Sequence, residues 1–201
     1  MRLKKGNLFI GLGLLLLIAA LLLTGYNIYV GEQASKASQE IGEELQVQIP
    51  DEPETSLPNT IPEREMPTIQ IGEYRYIGTL EVPELDLALP IMEEWDDTRL
   101  RISPCRYAGS VYQDNMVLAG HNYAKHFSRI KRLPMGSEIL FTDVEGNEYL
   151  YEIAWMETLQ PDQVEEMTYQ SGDPATDWDL TLFTCTTGGG SRVTIRCVKT
   201  E

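Results

Sequence analysis

One uncharged stretch constrains this 201-residue chain before any other feature does. Arg2, Lys4 and Lys5 precede a mostly apolar run from Leu8 to Leu23, which continues through Thr24, Gly25 and Tyr26 to Val30. A bilayer core takes roughly 20 apolar residues as a helix, and this run meets that length. Flanking cations stay in the cytoplasm, so everything beyond Val30 is expected outside. The competing reading is a cleaved signal peptide, whose apolar core spans about 7–15 residues and ends at a small-residue cleavage site. Ala34-Ser35-Lys36-Ala37 makes a poor site of that kind. Residues 1–31 are therefore read as a basic cytoplasmic tip and an uncleaved transmembrane signal-anchor.

Composition changes over residues 32–70. Glu40, Glu43, Glu44, Asp51, Glu52, Glu54, Glu63 and Glu65 face few cations, and Pro50, Pro53, Pro58, Pro62 and Pro67 punctuate the segment. A short helix over 33–46 can continue out of the membrane. Beyond Pro50 too few apolar residues remain to offset the entropy of ordering the chain. The expectation is an extended acidic stalk.

Residues 71–201 carry the signs of a packed domain. Strands are expected at Tyr76–Val82, Leu87–Met92, Met116–Ala119, Glu138–Thr142, Tyr149–Met156, Leu180–Thr184 and Arg192–Val198, each bounded by turn formers. Asp143 to Asn147 reads as a hairpin connection with Gly146 or Asn147 at positive φ. Brief helices are expected after Asn122, from Phe127, Ile130 and Leu133, and after Pro161, which suits a first helical turn. Many short strands with small connecting helices indicate a mainly β barrel or sandwich.

The net charge of −15 excludes a nucleic-acid partner, whose phosphates need a basic surface. Three cysteines form no disulfide framework, and their spacing matches no zinc site. The chemistry-bearing residues are correspondingly few. His121 follows the apolar strand in "MVLAGHNY"; the second histidine, His126, reads as a surface residue beside Lys125 and Arg129. Cys185 ends the strand Leu180–Thr184, and Arg192 opens the next one, so an antiparallel pairing sets them side by side. Arg192, Thr194 and Arg196 share one strand face, with Arg196 about 13 Å further along and out of reach of Cys185. A thiolate nucleophile needs a proton-transfer partner, and acyl transfer needs donors for the oxyanion. Cys105 reads as structural.

Three of these stretches resemble the sortases, the cysteine transpeptidases of Gram-positive cell surfaces. "TLFTC", Thr181 to Cys185, is similar to their TLxTC signature, and "VLAGHN" to their histidine segment. "YIGTLEVPELDLALPI", Tyr76 to Ile91, resembles the family's first strand pair, and an arginine opening the last strand completes the order. The resemblance implies an eight-stranded β-barrel with His121, Cys185 and Arg192 as catalytic residues and Thr184 lining the substrate site. It implies a sorting motif of LPxTG type as substrate, a thioacyl-enzyme, and an amine acceptor such as a peptidoglycan precursor or a pilin lysine. Its partners are then surface proteins bearing that motif, and the resemblance implies a thiolate and imidazolium as the active pair, titrating as a coupled unit. The short triple-glycine link from Thr186 to Ser191 departs from the bulkier loops of many relatives. No cofactor or metal is implied, since side chains carry the chemistry. Two other readings stay open on sequence alone: a membrane-tethered barrel that only binds, and a thiol hydrolase using the same residues.

Overall fold

The fold follows from a computed structural model that describes residues 5–50, 64–173, 176–186 and 188–200. Helix α1 runs unbroken over Lys5–Gln48. Strands follow as β1 (Ile69–Ile71), β2 (Tyr74–Val82), β3 (Leu87–Met92), β4 (Cys105–Ala108), β5 (Met116–Ala119), β6 (Glu138–Asp143) and β7 (Glu148–Leu159). After the five-residue helix α2 (Val164–Thr168) come β8 (Leu180–Cys185) and β9 (Arg192–Lys199).

Eight of these strands close on themselves in the order β2-β3-β4-β5-β8-β9-β7-β6 and back to β2, as the resemblance implied; β1 hangs on the outside of β2. The joins β3–β4 and β5–β8 are parallel, and the others are antiparallel. Closure at β2–β6 depends on Gly78, whose φ is +153° and where a Cβ would stand 2.1 Å from the Thr142 carbonyl oxygen. Alternation along each strand then sends Ile77, Ile91, Leu118, Phe141, Leu182 and Ile195 into one buried core. The β6–β7 hairpin turns at Gly146, with φ +83°.

Two strands have no counterpart in the sequence pattern. β1 is only three residues long, and β4 meets β3 through the single pair Met92↔Cys105. The turns after Asn122 form one short 3-10 segment, Ile130–Arg132, and α2 starts three residues beyond Pro161.

The helix expected over 33–46 is present as the continuation of α1 through Gln48, but its far half lies against the barrel instead of standing free. Ala34, Ser35, Ser38 and Leu45 recur at helical spacing and are buried, with Leu45 fully enclosed among Ile71, Tyr76, Met92 and Cys105. The helix passes close to β3 at Gly42, where a Cβ would sit in ordinary contact with Pro90 at 3.7 Å. The Ser38 and Ser103 hydroxyls meet at 3.5 Å. Burying one leucine contributes about 2 kcal/mol, so this apolar face outweighs the preference of a polar segment for solvent. Pro53, Pro58 and Pro62 lie outside the described residues. Arg64 pairs with Glu145 and lies 5.2 Å from the Tyr112 ring, and Met66 enters the barrel core. The N-terminal half of α1 is exposed, and long and apolar enough to cross a membrane.

Candidate active site

Three neighbouring strands define the site. β5 and β8 run parallel with Ala119 opposite Phe183, and the ladder goes on as the Gly120 N–H donates to the Phe183 carbonyl at 3.0 Å. Two residues further along each strand are His121 and Cys185. On the other side of β8, Cys185 is the last register partner of Arg192 on β9. Adjacent strands lie about 4.8 Å apart, and directly opposed side chains share a face. His121, Cys185 and Arg192 therefore stand in a row across the sheet, on the outer face that also bears Phe183.

All three line one cavity of about 290 Å³, together with Thr184, the fourth residue the sequence singled out. The walls are apolar. Trp95, Tyr107 and Phe183 form a chain of rings with centroids 5.2 and 5.3 Å apart, while Val164 and Met167 come from the α2 side. Cys185 is half-buried, whereas Cys105 and Cys197 are fully enclosed. Enclosure pushes the Cys105 thiol up to about 12 and that of Cys197 higher still. Thr184 is buried, and its hydroxyl has no hydrogen-bond partner among the described residues.

His121 is held below the ordinary histidine range, chiefly by desolvation and next by the Arg101 charge; Asp97 pulls the other way. Its ring stacks on Tyr123 at 4.7 Å. Gly120 is required beside it, because a Cβ there would fall 2.6 Å from the Phe127 ring. The Arg192 guanidinium rests on its own hairpin, donating to the Gly189 and Ser191 carbonyls at 3.3 and 3.4 Å. Both bonds are long and easily released.

Arg196 has a different use. Its Nε donates to Glu157 at 2.9 Å, Nη1 to the Met167 carbonyl at 2.9 Å and the Thr181 hydroxyl at 2.8 Å, and Nη2 to the Glu166 carbonyl at 2.6 Å. The guanidinium also lies 4.8 Å from the Trp178 ring centroid. This arginine ties α2 over the cavity, and four of its five N–H groups are spent in doing so.

His126 corrects the sequence reading, which put it at the surface. It is fully buried, neither ring nitrogen has a hydrogen-bond partner among the described residues, and burial pushes its pKa down to about 4. The neighbouring Lys125 and Arg129 point to solvent, and their charge suggested the same for the residue between them. The walls from Trp95 and Tyr107 also escaped the sequence reading. They sit in and beside the β3–β4 connection, where "EEWDD" shows only a lone aromatic among acids.

The family model of the sortase domain matches residues 80–200. Among solved structures, sortase C1 from Streptococcus agalactiae aligns at 22% identity over 63% of this chain and 68% of its own, with a TM-score of 0.54. A Clostridium perfringens sortase D5 transpeptidase aligns at 20% identity over 63% of this chain and 79% of its own, with a TM-score of 0.51. Sortase C-1 from Actinomyces oris gives 19% identity, 62% and 73% coverage, and a TM-score of 0.52. At these identities the structures speak for the fold. No curated protein matches the sequence.

Proposed function

The chain belongs to the sortase family, and we propose that it is a membrane-anchored cysteine transpeptidase whose reaction is carried by Cys185, His121 and Arg192. One observation supports this above all: three residues far apart in sequence meet in one half-open cavity, on adjacent strands, in the order base, nucleophile, oxyanion donor.

The reaction runs in two halves. Burial favours neutral imidazole at His121, so the Cys185 proton passes to it as Sγ attacks the backbone carbonyl after threonine in an LPxTG-type motif. Negative charge develops on that carbonyl oxygen. Arg192 leaves the Gly189 and Ser191 carbonyls to meet it, a role that adds transition-state stabilisation absent from the ground state. The C–N bond breaks, His121 returns the proton to the departing amine, and a thioester to Cys185 remains. An acceptor amine then attacks the thioester and His121 takes its proton. The new amide forms as Cys185 leaves and regains its proton. The aromatic wall of Trp95, Tyr107 and Phe183 excludes water and receives apolar substrate side chains. α1 anchors the enzyme, with the barrel on the outer side of the membrane.

The test is to incubate the full chain in detergent with a library of sorting-motif peptides and hydroxylamine. An acyl adduct on Cys185 and a hydroxamate product are expected, both absent from Cys185→Ala. Equal turnover by Cys185→Ala rejects the mechanism, and hydrolysis without transfer to any supplied amine makes the chain a thiol hydrolase instead.

A further inference from the structure

Charge is distributed unevenly in this acidic protein. Between Asp114 and Glu138 there is no Asp or Glu, while Lys125, Arg129, Lys131 and Arg132 fall within eight residues of a chain whose net charge is −15. Lys125, Arg129 and Arg132 are exposed; Lys131 donates to Asn122 at 2.7 Å, tying the basic turn to the histidine loop. Close by, Met135 exposes 54% of its surface, one of few large apolar side chains that the barrel leaves open.

The position of this loop along α1 gives the charge a partner. A bilayer core about 30 Å thick takes roughly 20 helical residues, so a span that starts at Leu8 leaves the hydrocarbon near Asn27. A cleft of about 760 Å³ is lined on one side by α1 residues including Tyr26, Asn27 and Glu32, and on the other by Arg101, His121 and Lys125. The histidine loop thus stands at headgroup depth. Tyr26 and Tyr29 are exposed at the same level, where aromatic rings favour the interface.

We propose that the loop from Asn122 to Met135 is a second membrane contact, in which Lys125, Arg129 and Arg132 bind anionic phospholipid headgroups and Met135 dips between them. Together with α1 it fixes the barrel's tilt, so that the cleft beside His121 opens along the bilayer surface. This rests on the reading of α1 as a membrane span with the barrel outside. A basic side chain at an anionic leaflet strengthens binding by roughly fivefold, and salt screens the effect.

The experiment places the full chain in nanodiscs of phosphatidylcholine, with or without phosphatidylglycerol, and follows hydrogen exchange over 9–28 and 121–137. Phosphatidylglycerol is expected to slow exchange over 121–137 by about 25-fold at low salt, from two such contacts. The Arg129→Glu/Arg132→Glu variant should lose that slowing, with exchange over 9–28 unchanged. Protection of 9–28 with no lipid dependence at 121–137 overturns the docking surface alone, as does equal slowing in the variant. Exchange over 9–28 without protection overturns the span and the surface together. Peptide cleavage in detergent reads the catalytic proposal separately.

Discussion

Lowering the pH from 8 to 5 should destabilise the barrel by ~2 kcal/mol through one side chain, His126. Its folded pKa is about 4 against an ordinary 6.5. Between those values the unfolded chain binds a proton that the folded chain refuses, so stability rises with pH. The contribution is complete above pH 6.5 and disappears as pH falls towards 4. At about 1.4 kcal/mol per pH unit, a displacement of about 2.5 amounts to ~3 kcal/mol over the whole window. The cause is enclosure first and the nearby His121 second. Carboxylates are the competing source of acid sensitivity, but Asp96 and Asp177 are held below the usual range by hydrogen bonds, so their loss comes at more acid pH. Urea unfolding of the full chain in detergent, followed by tryptophan fluorescence at pH 5, 6, 7 and 8, measures the slope. His126→Leu should flatten most of it, whereas His121→Asn, which removes a shift of the same sign and one neighbour of His126, should flatten it less. A wild type with no slope between pH 5 and 7, or a His126→Leu variant with the same slope, refutes the argument.

Three further outcomes follow from the geometry. Arg192→Ala should lower kcat/KM by about 10²-fold or more with little change in Tm, while Arg196→Met should cost about 1–3 kcal/mol by leaving the buried Met167 carbonyl and Thr181 hydroxyl without their donor; urea titration and peptide kinetics separate the two. Gly120→Ala, which forces a methyl against the Phe127 ring, should cost about 1–3 kcal/mol and slow turnover together, and unchanged kinetics would show that the histidine loop absorbs the strain. Leu45→Ala should weaken docking of α1 by about 2–5 kcal/mol, seen as faster hydrogen exchange over 34–48 while 9–28 stays protected.

The seven expected strands were legible from sequence because each is a short apolar or alternating run bounded by turn formers. Leu87–Met92 and Met116–Ala119 fall on the expected residues. β4 was not, since Cys-Arg-Tyr-Ala carries no alternation and is held by its neighbours. The candidate site was legible as residues: Cys185 and Arg192 pair through a hairpin that sequence can suggest. The parallel β5–β8 join, which brings in His121 from more than sixty residues upstream, rests on the family resemblance, because no local pattern encodes it. His126 and the docked half of α1 were missed for one reason. In both, polar neighbours mask a face that only tertiary packing buries: Lys125 and Arg129 around one, and the glutamates between Ser38 and Leu45 in the other.

The row formed by β5, β8 and β9 has a consequence for how such a protein can diversify. The spacing of His121, Cys185 and Arg192 is set by hydrogen-bonded strand separations inside a closed barrel, while Trp95 and much of the remaining wall of the cavity come from the β3–β4 connection and the segment around α2. Those two segments can be rewritten in length and composition without altering the spacing of the three residues. On the proposed mechanism, substrate choice and reactivity are then inherited through different parts of the chain, and selection can explore the first while the second stands still.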